Sequence, residues 1–158
     1  MNTVLTLVRT TATDRDFMEL VEKLNAYLTT INGKEDAFFQ QHNTLDAIQH
    51  VVLCYSDDEV VGCGAFKVLN KETIEIKRMY VEREHRGQNI GTYILKELEK
   101  WARELRFEHI ILETSKTMAS AVNLYRKNEY GIIPNYEPYK EVMSSICFKK
   151  DIGLQILS

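Results

Sequence analysis

Cysteine is scarce in this 158-residue chain: Cys54, Cys63 and Cys147 are the only three, far apart and without a CxxC pair. An odd number set in apolar stretches argues against a disulfide framework and reads as reduced thiols, so a cytoplasmic protein is expected. The cysteines have no ligand-like spacing with His42, His50, His85 or His109, and no metal site is expected. His42 and His50 read as solvent-facing or structural. Proline is scarcer still, with Pro134 and Pro138 in one loop. No apolar run reaches the ~18 residues of a membrane span, and the opening MNTVLTLVRT is too short and polar for a signal peptide. An excess of positive charge is missing too. Twenty Lys and Arg against 23 Asp and Glu leave a formal charge of −3, so nothing suggests the basic stripe of a nucleic-acid binder.

What is present suits one soluble domain, with 44% hydrophobic and 27% charged residues. Thr3–Arg9 reads as a strand. Thr13 then caps a helix whose buried face is Phe17, Leu20, Val21, Leu24 and Leu28, and Asn32-Gly33 ends it. A short helix is expected over Glu35–Asn43. His50–Tyr55 and Val60–Val68 form a hairpin, and Thr73–Val81 is a third apolar run. The period then changes: Ile90, Ile94, Leu98, Trp101 and Leu105 mark one helical face, with Lys96, Glu97, Glu99, Lys100, Arg103 and Glu104 on the other. His109–Glu113 is a strand, Met118–Lys127 a helix and Ser144–Lys149 a last strand. This order predicts a single α/β domain, a mixed sheet with helices on both faces.

The most informative segment joins the Thr73–Val81 strand to the long helix: Arg86-Gly87-Gln88-Asn89-Ile90-Gly91-Thr92. The first turn of a helix leaves four backbone N–H groups without partners, and its macrodipole adds about half a positive charge. Gly87 and Gly91 remove side chains where a phosphate would approach, and Arg86 adds a charge-assisted contact. No Gly-Lys-Ser/Thr and no GxGxxG is present, so nucleotide-hydrolase and dinucleotide readings lose their key residues.

Glu75–Val81 followed by Arg86-x-x-Asn89-x-Gly91 resembles motif A of the GNAT superfamily of acyl-CoA N-acyltransferases, with Asn89 in place of the family's first glycine. Leu112–Thr114 and Ala121-Val122-Asn123-Leu124-Tyr125 resemble motif B. Tyr130–Tyr139 and Ser145–Lys150 are similar to one GNAT subgroup, so the resemblance runs from about Leu24 to Lys150. Two further departures are Glu129, where the family has glycine, and Met118, where an asparagine is frequent.

The resemblance implies the GNAT fold, with a central mixed, mostly antiparallel β-sheet and helices on both faces. It implies acetyl-CoA as co-substrate, held by Met79, Tyr80, Val81, Arg86, Gly87, Gln88, Asn89, Ile90, Gly91, Thr92 and Asn123. The acetyl group is expected to pass to a small-molecule amine by direct attack in a ternary complex, with no nucleic acid or membrane partner; a homodimer is within expectation. Tyr125 corresponds to the family's thiolate-protonating tyrosine. A phenol with pKa near ~10 stays protonated at neutral pH and can donate to a departing sulfur. Glu75, Lys77 and Arg78 are charged residues on a strand that should be apolar, so they are paired or face a cavity. Period 2 puts Glu75 and Lys77 on one face and Arg78 on the other. Glu75 is a candidate base and Glu113 its rival, with Lys77 or Arg78 gripping a substrate carboxylate. Tyr136 and Tyr139, in the proline-containing loop, either wall the acceptor site or cover the core. Alternatives are a protein acetyltransferase and a non-catalytic acyl-CoA-binding regulator.

Overall fold

Strands that are apolar on both sides need cover on both sides, and the fold supplies it. The computed structural model describes residues 3–42 and 48–153. Within them the chain runs β1 (Leu5–Thr10), α1 (Arg15–Asn32), α2 (Asp36–His42), β2 (Ile48–Ser56), β3 (Glu59–Val68) and β4 (Thr73–Val81). It continues through α3 (Ile90–Glu104), β5 (His109–Ser115), α4 (Ala119–Lys127), β6 (Gly131–Ile133) and β7 (Ser145–Asp151). The seven strands form one sheet in the order β1-β2-β3-β4-β5-β7-β6. Every pairing is antiparallel except β4 with β5. The expected Glu35–Asn43 helix is α2, and Asn43 lies outside the described residues, as does the His42 side chain. The three-residue β6 was not anticipated, because it is too short to show a period.

In β2, Val51 and Leu53 pack on Phe17, Leu20 and Val21 of α1, whereas Val52 and Cys54 pack with Ile90, Ile94 and Leu98 of α3. Burial on both faces explains the unbroken Val-Val-Leu-Cys run. Each large side chain so buried contributes ~1.5–3 kcal/mol.

Three local expectations are corrected. Asp14, not Thr13, caps α1: its carboxylate accepts the Asp16 N–H at 2.9 Å, and the Thr13 hydroxyl pairs with that of Thr11. Glu99 does not face solvent. It is fully buried (0% exposed) and accepts hydrogen bonds from the Tyr130 hydroxyl at 2.8 Å and Lys150 Nζ at 3.1 Å. Its spacing from Leu95, Leu98 and Ala102 places it on the core stripe of α3. Arg78 does not take the face opposite Lys77. The β3–β4 register jumps between Ala65↔Lys77 and Cys63↔Tyr80, and Arg78 has φ 60°. This bulge repeats a face, so Lys77 reaches Tyr139, which packs on Phe39 of α2, while Arg78 reaches Asn25 of α1.

Candidate functional site

β4 and β5 pair only at Thr73↔His109, Ile74↔Ile110 and Glu75↔Ile111. Beyond these, β5 keeps β7 as its partner up to Ser115↔Ser145, while β4 bulges and stays with β3. The two strands part, and a cleft of about 640 Å³ opens between them, walled by α1, the start of α3 and α4.

One end of the cleft is the turn into α3. Gly87 has φ 85° and Asn89 φ 64°, both left-handed. Asparagine tolerates that region better than most residues, so the turn keeps a glycine-like backbone at Asn89. No side chain caps α3, and by helix geometry its first N–H groups lack intrahelical acceptors. Arg86 Nε donates to the Val81 carbonyl at 2.9 Å, and its guanidinium lies 5.9 and 5.7 Å from the Tyr27 and Tyr80 ring centroids. Met79, Tyr80, Val81, Arg86, Gly87, Asn89, Ile90, Gly91 and Asn123 all line the cleft. Gln88 and Thr92 are not on its wall, and the Thr92 hydroxyl is buried without a hydrogen-bond partner among the described residues. Gly91 also serves packing, since a Cβ there would come within 3.4 Å of Leu124.

The other end carries titratable groups. Lys77, Arg78, Glu113 and Tyr125 line the cleft, whereas Glu75, Tyr136 and Tyr139 do not. Glu75 accepts the Tyr136 hydroxyl at 2.6 Å and lies 3.8 Å from Lys77 Nζ, which also donates to the Tyr139 hydroxyl at 2.9 Å. Burial pushes Lys77 below the usual lysine range, opposed by Glu75 and Glu113. Burial pushes the Glu113 carboxyl up, against the hydrogen bond donated by Ser145. Tyr125 is 5% exposed, and its ring sits 5.7 Å from Tyr130 and 5.8 Å from Phe148. Burial, then the nearby Glu113 charge, raise its pKa. Its hydroxyl has no hydrogen-bond partner among the described residues.

Leu24, Tyr27, Leu28 and Asn32 of α1 and Phe39 of α2 also line the cleft. Sequence reasoning read Leu24 and Leu28 as core, because a cleft wall and a core face share one helical period. The three cysteines are free and buried. Burial pushes the Cys63 thiol up to about 12, which leaves it a poor nucleophile at neutral pH. Glu72, Glu108 and His109 gather within 4.8 Å at the starts of β4 and β5, the end of the strands away from the cleft. Among the described residues no helix is long and apolar enough to cross a membrane.

Comparison with known proteins agrees with this architecture. The "Probable N-acetyltransferase 14" of Xenopus tropicalis is 34% identical over 104 residues, which cover 64% of this chain and 49% of that protein. The chain thus spans about half the length of that relative. The "IAA acetyltransferase" of Azospirillum brasilense is 27% identical over 150 residues, covering 94% of this chain and 98% of its own length. A provisionally assigned acyl-CoA N-acyltransferase from Klebsiella pneumoniae superposes with a TM-score of 0.79 at 27% identity, covering 94% and 98% of the two chains. The acetyltransferase (GNAT) family pattern matches residues 17–130, which include the Arg86–Gly91 turn, the parting strands and Tyr125, and the chain belongs to that family.

Proposed function

We propose that this protein is an acetyl-CoA-dependent N-acetyltransferase that acetylates the primary amine of a small molecule or amino acid by direct attack in a ternary complex. The observation that supports the reading is the parting of β4 and β5 beyond Glu75, which puts the uncapped start of α3, Glu113 and Tyr125 in one cleft.

The residues present fit the coenzyme. First-turn N–H groups of α3 and the Arg86 guanidinium suit its pyrophosphate, and the unpaired β4 edge offers backbone donors to its pantetheine arm. When bound, acetyl-CoA supplies the acyl thioester. Backbone N–H groups near Met79 and Val81 polarise the carbonyl. Glu113 takes the proton that the amine loses as the N–C bond forms, and Tyr125 donates to the sulfur as the C–S bond breaks. Glu113 suits the base better than Glu75, because it lines the cleft while the Glu75 carboxylate is engaged by Tyr136 and Lys77.

Enclosure of the site by α1 and by Phe39 of α2 supports a small acceptor rather than a protein chain, as does a relative named IAA acetyltransferase. A cytoplasmic setting fits the buried reduced thiols. Thiol release from acetyl-CoA, measured against a panel of amines, amino acids and peptides, tests the proposal. Amine-dependent release is the expected result. Acetyl-CoA binding with no release from any amine would leave only a coenzyme-binding regulator.

A further inference from the structure

Glu113 lines the cleft from β5, and its backbone pairs with Cys147 of β7. On one face of an antiparallel pair, diagonal neighbours lie within reach of a long side chain. The register makes Ser145 such a neighbour, since Ser115 pairs with Ser145 two residues further on. The Ser145 hydroxyl donates to Glu113 Oε2, and among the described residues this is the one hydrogen bond the carboxylate accepts. Lys77 is held by Tyr139 and Glu75 and makes no ion pair with Glu113. Ser145 is itself fixed. It opens β7 at 1% exposure, and its N–H donates to the Val142 carbonyl at 3.1 Å. Its own carbonyl accepts from Asn135 Nδ2 at 3.2 Å, and the same amide also donates to Val142 at 3.2 Å. The hydroxyl therefore projects from a backbone tied down on both sides.

That choice of partner matters for a base. A cation in contact would hold the carboxylate firmly ionised and make it a weak base, whereas burial with no donor would leave it protonated. One neutral hydroxyl lies between these limits, where a base working near neutral pH is most effective. Burial pushes the Glu113 carboxyl up; the Ser145 hydroxyl is the largest opposing influence, followed by Lys77, while Glu75 and Glu35 add to the rise. Tyr125, Tyr139 and Cys147 also feel the Glu113 charge, and burial keeps all three neutral at physiological pH.

We infer that Ser145 is a positioning residue for acetyl transfer: its hydroxyl fixes the Glu113 carboxylate in the ionised form through Oε2 and leaves Oε1 to take the proton of the amine. This rests on the N-acetyltransferase reading above and on Glu113 as its base. The balance of the reaction is unchanged. The amine nitrogen forms the amide bond, the thioester C–S bond breaks, the amine proton leaves to Glu113, and the serine proton stays on serine.

The test follows thiol release from acetyl-CoA by the full chain from pH 5 to 9, with the fastest acceptor of the amine panel held saturating. Under that condition kcat reports groups of the ternary complex rather than the free amine. Ser145→Ala is expected to move the acidic limb of kcat up by about one to two pH units, the range for a hydrogen bond to a charged group. The Kd for acetyl-CoA reports that the variant is folded. Ser145→Cys, close in shape and a weaker donor, is expected to move the limb the same way by less, and it decides if the alanine variant does not fold. A rate lowered equally at every pH, with the limb in place, would show a merely structural serine and overturn the inference while the base stands. So would an acidic limb of the unaltered protein centred above pH 7, a measurement that needs no variant. An acidic limb that survives Glu113→Gln would overturn Glu113 as base and this inference with it. Acetyl-CoA binding with no release from any amine of the panel would overturn the transferase reading as well.

Discussion

Replacing Tyr125 with phenylalanine separates chemistry from folding, because the ring has packing partners and the hydroxyl has none among the described residues. The ring packs between Tyr130 and Phe148, and phenylalanine keeps those contacts. The hydroxyl has no protein partner among the described residues, so its loss should change stability by no more than ~0.5 kcal/mol. The cost to turnover follows from the acidities involved. A thiol ionises near ~8.5, whereas Tyr125 is raised above the ~10 of a free phenol. Outright proton transfer to a free thiolate is therefore uphill by more than ~1.5 pH units, or about 2 kcal/mol. In the proposed mechanism the hydroxyl acts chiefly as a hydrogen-bond donor to sulfur as charge develops, a role worth ~1.5–3 kcal/mol for a charged acceptor. Tyr125→Phe should thus lower kcat by about 10- to 150-fold with the Kd for acetyl-CoA unchanged. Rapid-mixing thiol release under single-turnover conditions, with calorimetry for binding, measures both. A single-turnover rate within about threefold of the unaltered protein would refute the acid role. So would a descending limb of the unaltered protein's pH–rate profile well below pH 10 that Tyr125→Phe abolishes, because burial moves the Tyr125 pKa in the opposite direction.

Glu113→Gln should remove the acidic limb of the kcat/KM profile and lower neutral-pH turnover by about 100-fold or more; an unchanged profile from pH 5 to 9 would reject Glu113 as base. The same substitution has a folding signature. Glu113 is raised in the folded state, so that state holds a proton the unfolded chain has lost, and stability falls as pH rises from the unfolded value of about 4.3 through the folded one. Glu113→Gln should abolish that fall and raise Tm at pH 7, and a lower Tm there would contradict it. Glu99→Ala strips the carboxylate from the buried Tyr130 hydroxyl and Lys150 ammonium and should cost ~3–5 kcal/mol in urea denaturation; a loss under ~1 kcal/mol would show that water replaces it. Glu129→Gly should relieve a residue held at φ 72°. The relief of ~1–2 kcal/mol, less ~0.5–1 kcal/mol of glycine entropy, predicts a net gain of ~0.5–1 kcal/mol, which thermal unfolding would report as a higher Tm.

The coarse architecture was legible because most elements are amphipathic or wholly apolar at a single period. Thr73–Val81 and Ile90–Glu104 appear almost as expected, and the Arg86–Gly91 turn lies between them. The candidate site was legible where its residues sit in a contiguous motif, as Arg86–Gly91 and Asn123–Tyr125 do. It was illegible where geometry depends on pairing across strands. A period-2 reading of β4 sent Arg78 to the wrong face, because nothing in Glu-Ile-Lys-Arg-Met announces that Arg78 and Met79 stand opposite one residue of β3. Glu99 was misplaced for a related reason: polarity argued for solvent, while spacing from Leu95, Leu98 and Ala102 argued for the core, and Lys150 and Tyr130 decided between them. Glu75 and Glu113 look equivalent in sequence. The side chains of Tyr136 and Ser145, 61 and 32 residues away, help to distinguish them, as does the place of Glu113 on the cleft wall.

The single parallel pairing explains why these parts meet at all. In an antiparallel hairpin the connection returns at the end where the first strand stops. A parallel pair instead needs a crossover, here α3, that runs back along the sheet. Such a crossover puts the N-terminus of its helix at the C-terminal end of β4 and delivers the C-terminal end of β5 beside it. Glu113 is thereby brought toward the end of the sheet where α3 begins, and α4, which follows β5, carries Tyr125 to the same place. Had β4 and β5 stayed paired along their whole length, that end would be closed sheet. The bulge at Arg78 prevents this by tying the later half of β4 to β3 in a shifted register. One departure from strand geometry therefore accompanies both the opening of the cleft and the turning of a cation onto its wall.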